Sequence, residues 1–381
     1  MIGARVDTAA VRRAAGAVED PEIRRSLGEL GMVGDVDVDR RGRVRISVTL
    51  TTPTCPLREE IRAAVDAAVR GVPGVTDAEV GFGALDASGR TALAARLRAE
   101  DPGAFGPGGA LGIGTGGPDA AGAPRVYAVG SGKGGVGKST VTANLAAALA
   151  LDGLRVGVLD ADVWGYSIPR AFGVNRAPVA LAGLMFPVEA HGVRLMSVGF
   201  LVGEDEPVVW RGPMLHKAIA QFCSDVYWGG LDVLLVDLPP GTGDVTLSLM
   251  ELLPSAALLA VTTPQPAARG VAVRVGRLAA SSGMPVAGVV ENMTDLACDG
   301  CGARTPMFGS GGGAALAEAL DAPLLGAVPL DLPLRVGGDT GVPAVIGAPG
   351  APSAAELRRI AAALPSVRRS LVGVPLPLSV T

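Results

Sequence analysis

The chain of 381 residues is 49% hydrophobic and carries a formal net charge of -4 at pH 7. Its length and apolar content are enough for two domains with a large core. The acidic balance provides no basic surface of the kind that dominates nucleic-acid affinity, so nucleic acid is excluded as an expected partner. No apolar run is long enough for a membrane helix or matches a signal peptide, which predicts a cytoplasmic protein that has no membrane partner.

Residues 1–98 predict a small α+β domain. Helical periodicity covers residues 7–18 and 57–69, whereas apolar residues alternate with polar ones in 36–38 and 44–50. The alternating segments flank a turn that contains glycine, and this pattern predicts a β-hairpin. A third strand is expected within residues 75–80, and the unit could fold alone.

The next segment, residues 99–124, is rich in Gly, Pro and Ala, a composition typical of a flexible linker. Residues 125–381 then predict a second domain of the α/β class, with a doubly wound, mostly parallel sheet. Its strands are expected to be continuously apolar because helices cover both faces. The expected strands are residues 126–129, 155–159, 231–236, 256–262, 286–290 and 324–328, with helices at 140–151 and 267–281. Ligands of such sheets lie beyond the carboxyl ends of the strands.

The clearest motif is Gly-Lys-Gly-Gly-Val-Gly-Lys-Ser-Thr, which lies between an apolar strand and a helix. It matches the phosphate-binding loop pattern and has a second lysine directly after its first glycine. Backbone N–H groups of such a loop surround phosphates, Lys138 supplies charge to the terminal phosphates, and Ser139 offers a hydroxyl to Mg²⁺. The predicted nucleotide-binding residues are Gly132, Lys133, Gly134, Gly135, Val136, Gly137, Lys138, Ser139 and Thr140.

Carboxylates follow two of the predicted strands. Asp160 and Asp162 come after the second strand of this domain, where an aspartate would orient a water molecule or cap the next turn. Of the two aspartates, Asp162 is the stronger candidate for orienting the water molecule. Asp237 ends an apolar strand before a Pro-Gly turn, as does the aspartate that holds Mg²⁺ in P-loop enzymes. Asp244, at the end of that turn, is a weaker candidate.

Cys298 and Cys301 form a C-x-x-C motif in a loop after a strand. Two thiolates are half of what a four-cysteine zinc site or an iron-sulfur cluster requires. A second copy of the chain would complete such a site on a two-fold axis. The same spacing also fits a redox dithiol or two ordinary loop cysteines.

The two other cysteines lie far from this motif. Cys55 precedes Pro56, which suits the first position of a helix, so the thiol is expected at a helix N-terminus. It is therefore either a reactive thiol with a lowered pKa or a half-buried structural cysteine. Cys223 is interpreted as a buried helical residue without chemistry. His191 and His216 are isolated and are expected to be structural.

Together these segments resemble the Mrp/ApbC family of iron-sulfur cluster carrier ATPases. The resemblance covers about residues 125–364 and rests on the phosphate loop, the C-x-x-C and residues 160–167, 210–213, 237–244 and 291–293. The Thr-Cys-Pro motif at residues 54–56 is similar to one in the small assembly domain that often precedes this ATPase. The phosphate loop alone is shared with cell-division and plasmid-partition ATPases, so the C-x-x-C and Trp210-Arg211-Gly212-Pro213 distinguish among these relatives.

The resemblance implies slow ATP hydrolysis coupled to binding of a cluster and its delivery to apo-proteins. It also implies a homodimer that works with scaffold and acceptor proteins. The implied catalytic residues are Lys133, which is similar to a signature lysine that reaches the partner subunit's nucleotide, Lys138 and Asp162. Asn292 corresponds to a residue that reads the base. Mg²⁺ would be held by Ser139 and Asp237, and a bridging [4Fe-4S] cluster by Cys298 and Cys301.

The sequence is also compatible with two other functions. A spatial-positioning ATPase acting on a membrane or DNA surface shares the phosphate loop, but it needs a basic face or an amphipathic terminal helix. Residues 357–372 carry several arginines but are interrupted by Pro365, which favours a solvated last helix. A zinc-bridged dimer with the same nucleotide chemistry is the other reading.

Overall fold

The computed structural model describes residues 6–53, 55–100, 124–201, 212–253, 255–297, 301 and 303–364. The chain folds into two compact units. The first comprises Met1–Pro102 and Val179–Phe186, and the second comprises Gly103–Pro178 and Pro187–Thr381. Most of the predicted linker lies outside the described residues.

The helices and strands follow one another in this order along the described residues: α1 (Thr8–Gly16), β1 (Val33–Val38), β2 (Arg43–Leu50), α2 (Arg58–Arg70), β3 (Asp77–Ala84), α3 (Ala87–Glu100), β4 (Arg125–Ser131), α4 (Lys138–Leu151), β5 (Val156–Asp160), α5 (Ile168–Ala171), β6 (Val179–Leu181), β7 (Leu184–Phe186), β8 (Val188–Ala190), β9 (Val193–Ser197), α6 (Gly212–Ser224), β10 (Val233–Asp237), α7 (Asp244–Leu252), β11 (Ala257–Thr262), α8 (Pro266–Ser281), β12 (Val286–Ala297), β13 (Arg304–Thr305), α9 (Gly312–Ala319), β14 (Leu324–Leu330), α10 (Leu332–Thr340), α11 (Ala344–Gly347) and α12 (Pro352–Ala363).

The first unit has a three-stranded sheet in the order β1-β2-β3. Strands β1 and β2 form the predicted antiparallel hairpin, and β3 lies parallel to β2. Inward residues of β2 alternate with exposed ones, as expected for a sheet with one solvated face. Helix α3 was not predicted and takes up the first two residues of the expected linker. Its buried side chains, Leu93, Ala94 and Leu97, are too few to give a strong helical period.

The second unit contains a sheet in the order β13-β12-β11-β4-β10-β5-β9-β8, with β14 also paired to β12. The pairs from β12 to β9 and the β12–β14 pair are parallel, whereas β8 and β13 are antiparallel additions at the edges. The predicted α/β sheet is therefore confirmed. Strand β4 is flanked by β10 and β11, which come later in the chain, so a crevice for ligands opens at its carboxyl end.

The core of the second unit forms around α4 and the central strands. Residues 233–237 and 257–262 are buried at every position, as the continuous apolar pattern predicts. Helix α4 is buried on most of its circumference, since small alanines let the sheet on one side and α12 on the other come close. Strands β8 and β9 were not predicted: β8 is a three-residue strand at the edge of the sheet, and β9 lies between β8 and β5. The sequence also underestimated β12, which continues seven residues beyond the predicted end at Val290.

Candidate functional site

The phosphate loop joins the end of β4 to the start of α4. Gly135 and Gly137 have φ of 80° and 79°, a left-handed conformation that glycine adopts without strain. A Cβ atom at Gly137 would also collide with the side-chain amide of Asn292. The loop borders an open cavity of about 370 Å³, into which the N-terminus of α4 points as in anion-binding sites. The cavity is lined by Ser131, Lys133, Gly134, Gly135, Val136, Gly137, Lys138, Ser139, Thr140, Asp162, Trp164, Gly165, Ser167 and Pro240.

Asp237, at the end of β10, holds three side chains of α4 next to this cavity. One carboxylate oxygen accepts hydrogen bonds from Lys138 Nζ at 2.7 Å and from Ser139 Oγ at 2.5 Å. The other oxygen accepts from Thr142 Oγ1 at 2.8 Å. Asp237 is completely buried and Lys138 is 6% exposed. Burial strengthens each of these bonds and makes an unpaired partner costly, so the four side chains act as one unit.

The two predicted aspartates after β5 occupy different positions. Asp160 is fully buried, where its carboxylate accepts hydrogen bonds from the backbone N–H groups of Asp162, Ser167 and Ile168 and from Ser197 Oγ. It therefore holds the loop that contains Asp162. Burial and the charge of Asp237 raise the pKa of the Asp160 carboxyl to about 7.

Asp162 lines the cavity beside the predicted lysine. Its carboxylate lies 3.6 Å from Lys138 Nζ and accepts a hydrogen bond from Gly165 N–H at 3.1 Å. Burial raises the pKa of this carboxyl, while the Lys138 charge works in the opposite direction. The structure thus brings Lys138, Ser139, Asp162 and Asp237 together.

The second lysine of the loop has a different partner. Lys133 Nζ donates to Gln265 Oε1 at 3.0 Å, and Ser131 Oγ donates to the Lys133 carbonyl at 3.1 Å. Gln265 precedes the first residue of α8. Gln265 was not among the predicted site residues, because a single glutamine before a proline carries no recognisable pattern.

Asn292 lies beneath the phosphate loop rather than among the residues lining the cavity. It is 2% exposed, and its Nδ2 donates to the carbonyl oxygen of Val136 at 2.9 Å. Its Oδ1 is buried and has no hydrogen-bond partner in the described structure. The neighbouring Glu291 accepts a hydrogen bond from Gly313 N–H at the start of α9, at 2.9 Å. The middle of β12 is thus bonded to the phosphate loop through Asn292 and to α9 through Glu291.

The far end of β12 forms a short hairpin with β13, and Cys301 is an exposed cysteine in its loop. Cys298 lies outside the described residues. Exposed apolar side chains lie nearby in sequence, at Leu296, Met307 and Phe308. Among the described residues, no group of three or more His, Cys, Asp or Glu side chains is arranged to hold a metal ion.

The other two cysteines and His191 lie in surroundings that agree with a structural role. Helix α2 begins at Arg58, so Pro56 is not its first residue as expected, and Cys55 is buried. Burial favours the structural alternative for Cys55, since a covered thiol must be exposed before it reacts. Cys223 is buried in α6 as predicted, and burial raises the pKa of its thiol to about 12. The ring of His191 lies 3.1 Å from the carbonyl oxygen of Gly341, which agrees with a structural role.

Some of the predicted residues lie outside the described part of the chain. Residues 202–211, with Trp210 and Arg211, lie outside the described part, and so do residues 365–381. Nothing is described for the side chains of His216 and Asp244. The sequence analysis also missed Thr142 and Trp164. Thr142 lies four residues after Lys138, a spacing that places both on one face of α4.

The glycine loop leads from the central strand β4 into helix α4. Its lysine and hydroxyl groups donate hydrogen bonds to the aspartate that ends β10. This arrangement defines a P-loop NTPase. The model of a family described as NUBPL iron-transfer P-loop NTPase matches residues 122–365. The chain belongs to this family, which confirms the resemblance to iron-sulfur cluster carrier ATPases. A second family model, described as an iron-sulfur cluster assembly protein, matches residues 8–81.

Relatives from bacteria match almost the whole length of this chain. A Mycobacterium leprae protein named iron-sulfur cluster carrier protein is 46% identical, with 97% of this chain and 95% of the relative covered. A Deinococcus radiodurans protein of the same name is 43% identical, with 93% and 94% covered. Among solved structures, a nucleotide-binding protein from Archaeoglobus fulgidus in complex with ADP is 37% identical. It matches with a TM-score of 0.50 over 58% of this chain and 87% of that chain.

In the described part of the chain, no helix combines the length and apolar content needed to cross a bilayer.

Proposed function

We propose that this protein binds and hydrolyses ATP and carries an iron-sulfur cluster to apo-proteins. The observation that carries the proposal is the course of β12. One strand contacts the phosphate loop through Asn292 and continues into the hairpin that exposes Cys301. The names of the relatives in Mycobacterium leprae and Deinococcus radiodurans support the same cargo.

The donor set around the phosphate loop suits ATP with Mg²⁺. Ser139 Oγ lines the cavity, and the buried Asp237 carboxylate lies 2.5 Å from it. Both offer oxygen ligands, which Mg²⁺ prefers. When bound, Mg²⁺ neutralises charge on the phosphates. Lys138 adds a positive charge at the same place, and a phosphate oxygen would compete with Asp237 for it.

Asp162 is the residue we assign to positioning the attacking water. Its carboxylate borders the cavity next to Lys138, and its raised pKa makes it a better proton acceptor than an exposed aspartate. Lys133 also lines the cavity, and we assign it to a phosphate oxygen. The phosphate could belong to the same chain's nucleotide or to that of a second copy.

We assign recognition of the base to Asn292. Its buried Oδ1 accepts no hydrogen bond within the described structure, and such a group is costly unless a ligand supplies a donor. The exocyclic amino group of adenine is a donor of this kind. The bond from Asn292 Nδ2 to Val136 would hold the amide in a fixed orientation while it binds the base.

We propose that the cluster lies between two copies of the chain. A four-iron cluster takes four thiolates, and Cys298 and Cys301 provide two. The exposure of Cys301 suits a site shared with a second copy, with scaffold proteins as donors and apo-proteins as acceptors.

Anaerobic reconstitution of the full chain tests this proposal. Iron, sulfide, zinc and mass per particle would be measured for the unmodified protein and for Cys298→Ser/Cys301→Ser. We expect about four irons per dimer in the unmodified protein and none in the double variant. Cys223→Ala, which removes a buried cysteine, should retain the cluster.

Three results would contradict parts of the proposal. Zinc without iron would support a zinc-bridged dimer, and full iron in the double variant would place the cluster elsewhere. ATP-dependent cosedimentation with anionic liposomes by a protein that takes up no iron would support a surface-positioning ATPase.

A further inference from the structure

The two lysines of the phosphate loop are held by groups of different charge. Lys138 Nζ lies 2.7 Å from Asp237 and 3.6 Å from Asp162, so two carboxylates face its ammonium group. Lys133 Nζ instead donates to the neutral amide oxygen of Gln265, at 3.0 Å. Within the described residues, Lys133 makes no ion pair. Its positive charge is therefore held in place without being neutralised.

The position of Gln265 explains why it reaches the loop. It is the residue before Pro266, at the start of α8, with an extended backbone and no side-chain bond to its own helix. Shorter polar residues usually occupy this position because they cap the helix. The longer glutamine side chain extends away from its helix to the phosphate loop instead.

The loop and α8 are also fixed relative to one another. A Cβ atom at Gly132, the residue before Lys133, would collide with the backbone of Val271 and Ala272 in α8. Because this contact leaves no room for a side chain, the start of the loop rests directly on α8. The distance that the Gln265 and Lys133 side chains must bridge is thus set by backbone packing.

We propose that Gln265 is a positioning residue for Lys133, an inference that rests on the proposed nucleotide binding. Its amide oxygen keeps the flexible lysine side chain at the cavity and leaves the ammonium charge available to a phosphate oxygen. A carboxylate at this position would compete with the phosphate for that charge. An apolar residue would let the lysine side chain sample many rotamers, at an entropic cost when it binds.

A double-mutant cycle of Gln265→Leu and Lys133→Ala tests the coupling. Binding of a non-hydrolysable ATP analogue with Mg²⁺ would be measured by calorimetry. Gln265→Leu should weaken binding about five- to tenfold, the scale of the net contribution of one hydrogen bond. In the Lys133→Ala background the same substitution should have no effect. Gln221→Ala, in an exposed part of α6, is the matched control and should bind as the unmodified protein does.

Equal losses in both backgrounds, or no loss in either, would overturn the proposal. The source of the phosphate is identified by repeating the cycle at protein concentrations below and above dimer formation. A coupling independent of concentration indicates the same chain's nucleotide. A coupling found only in the dimer indicates the second copy's nucleotide.

A measurement without nucleotide separates this proposal from the proposed function. The chain has lysines only at 133, 138 and 217, so ε-¹³C-lysine labelling gives few NMR signals. In the nucleotide-free protein, Gln265→Leu should move the Lys133 signal towards that of exposed Lys217. An unchanged Lys133 signal would refute the positioning role. Failure of the unmodified protein to bind the ATP analogue would instead refute the proposed nucleotide binding.

Discussion

The phosphate loop and the cysteine hairpin lie on the same sheet but are built in opposite ways. At the loop, β4, α4, β5 and β10 contribute side chains that are buried and bonded to one another, such as Lys138, Thr142 and Asp237. At the hairpin, β12 and β13 pair through two residues each, and Met307 beside them is 58% exposed. The side chains of the phosphate loop are therefore held by partners within the same chain, whereas those of the cysteine hairpin face outward.

This difference predicts where substitutions affect stability and where they affect only binding. Removing a group from the buried network leaves charged partners unpaired, which is costly. Removing an exposed thiol leaves nothing unpaired. The following experiments examine this contrast, beginning with the largest expected effect.

Lys138→Ala should reduce ATP hydrolysis by about a hundredfold or more, the scale for losing a charge-stabilising donor in an active site. The same change leaves the buried Asp237 without its ammonium partner, so the unfolding temperature should also fall. Steady-state hydrolysis and thermal unfolding would be measured together. Lys217→Ala, at an exposed lysine of α6, should change neither. Unchanged stability of Lys138→Ala would show that the network is not a unit.

Asp160→Asn should alter the pH dependence of stability. The pKa of Asp160 is raised to about 7 in the folded state from its ordinary value of 3.8, so the folded state binds more protons between these values. The contribution of this group to stability therefore falls as the pH rises through that window. Asp160→Asn should flatten this fall in urea unfolding measured at several pH values.

Asp152→Asn, at an exposed position after α4, should retain the pH dependence of the unmodified protein. An identical dependence in Asp160→Asn would show that Asp160 does not titrate in this window.

Thr142→Val should lower the unfolding free energy by about 1–3 kcal/mol, because it leaves a buried oxygen of Asp237 without its donor. The valine side chain has nearly the same shape, so packing is preserved. Thr142 Oγ1 also lies 3.0 Å from the carbonyl oxygen of Lys138, four residues earlier. The control is Thr91→Val in α3, where an exposed threonine has the same contact with the carbonyl of Ala87 but no carboxylate partner in the described structure. Similar losses for the two variants in urea unfolding would contradict a special role of the network.

Cys301→Ser should have the smallest effect on the fold. It is an exposed position, so the unfolding free energy should stay within about 0.5 kcal/mol of the unmodified value. Cluster binding should nevertheless be lost. A large loss of stability in the metal-free variant would show that the hairpin is part of the folded core rather than an outward binding element.

Much of the fold could be predicted because its strands have a strong signal. Buried parallel strands such as residues 233–237 and 257–262 are continuously apolar, and a motif marked the turn between β4 and α4. Helix α3 was missed because it buries only three of its side chains, and strand β8 was missed because it has only three residues. Their formation depends on neighbouring segments that local periodicity does not reveal.

Prediction of the site had a similar limit. Lys138, Ser139, Asp162 and Asp237 were selected because each belongs to a pattern at a strand end, and the structure brings them together. Thr142 and Gln265 belong to no such pattern. Both serve by contacting a residue that is distant in sequence, and only the folded chain shows the contact.

The sequence by itself determined the class of the protein, since glycines, lysines and a hydroxyl at the right spacing are enough to specify a phosphate loop. The tertiary structure decided which partner each side chain has. It placed Lys138 against a carboxylate and Lys133 against an amide, although both belong to the same motif. The physical reason is that these partners come from β10 and the start of α8, about 100 or more residues away, and sheet packing alone brings them to the loop.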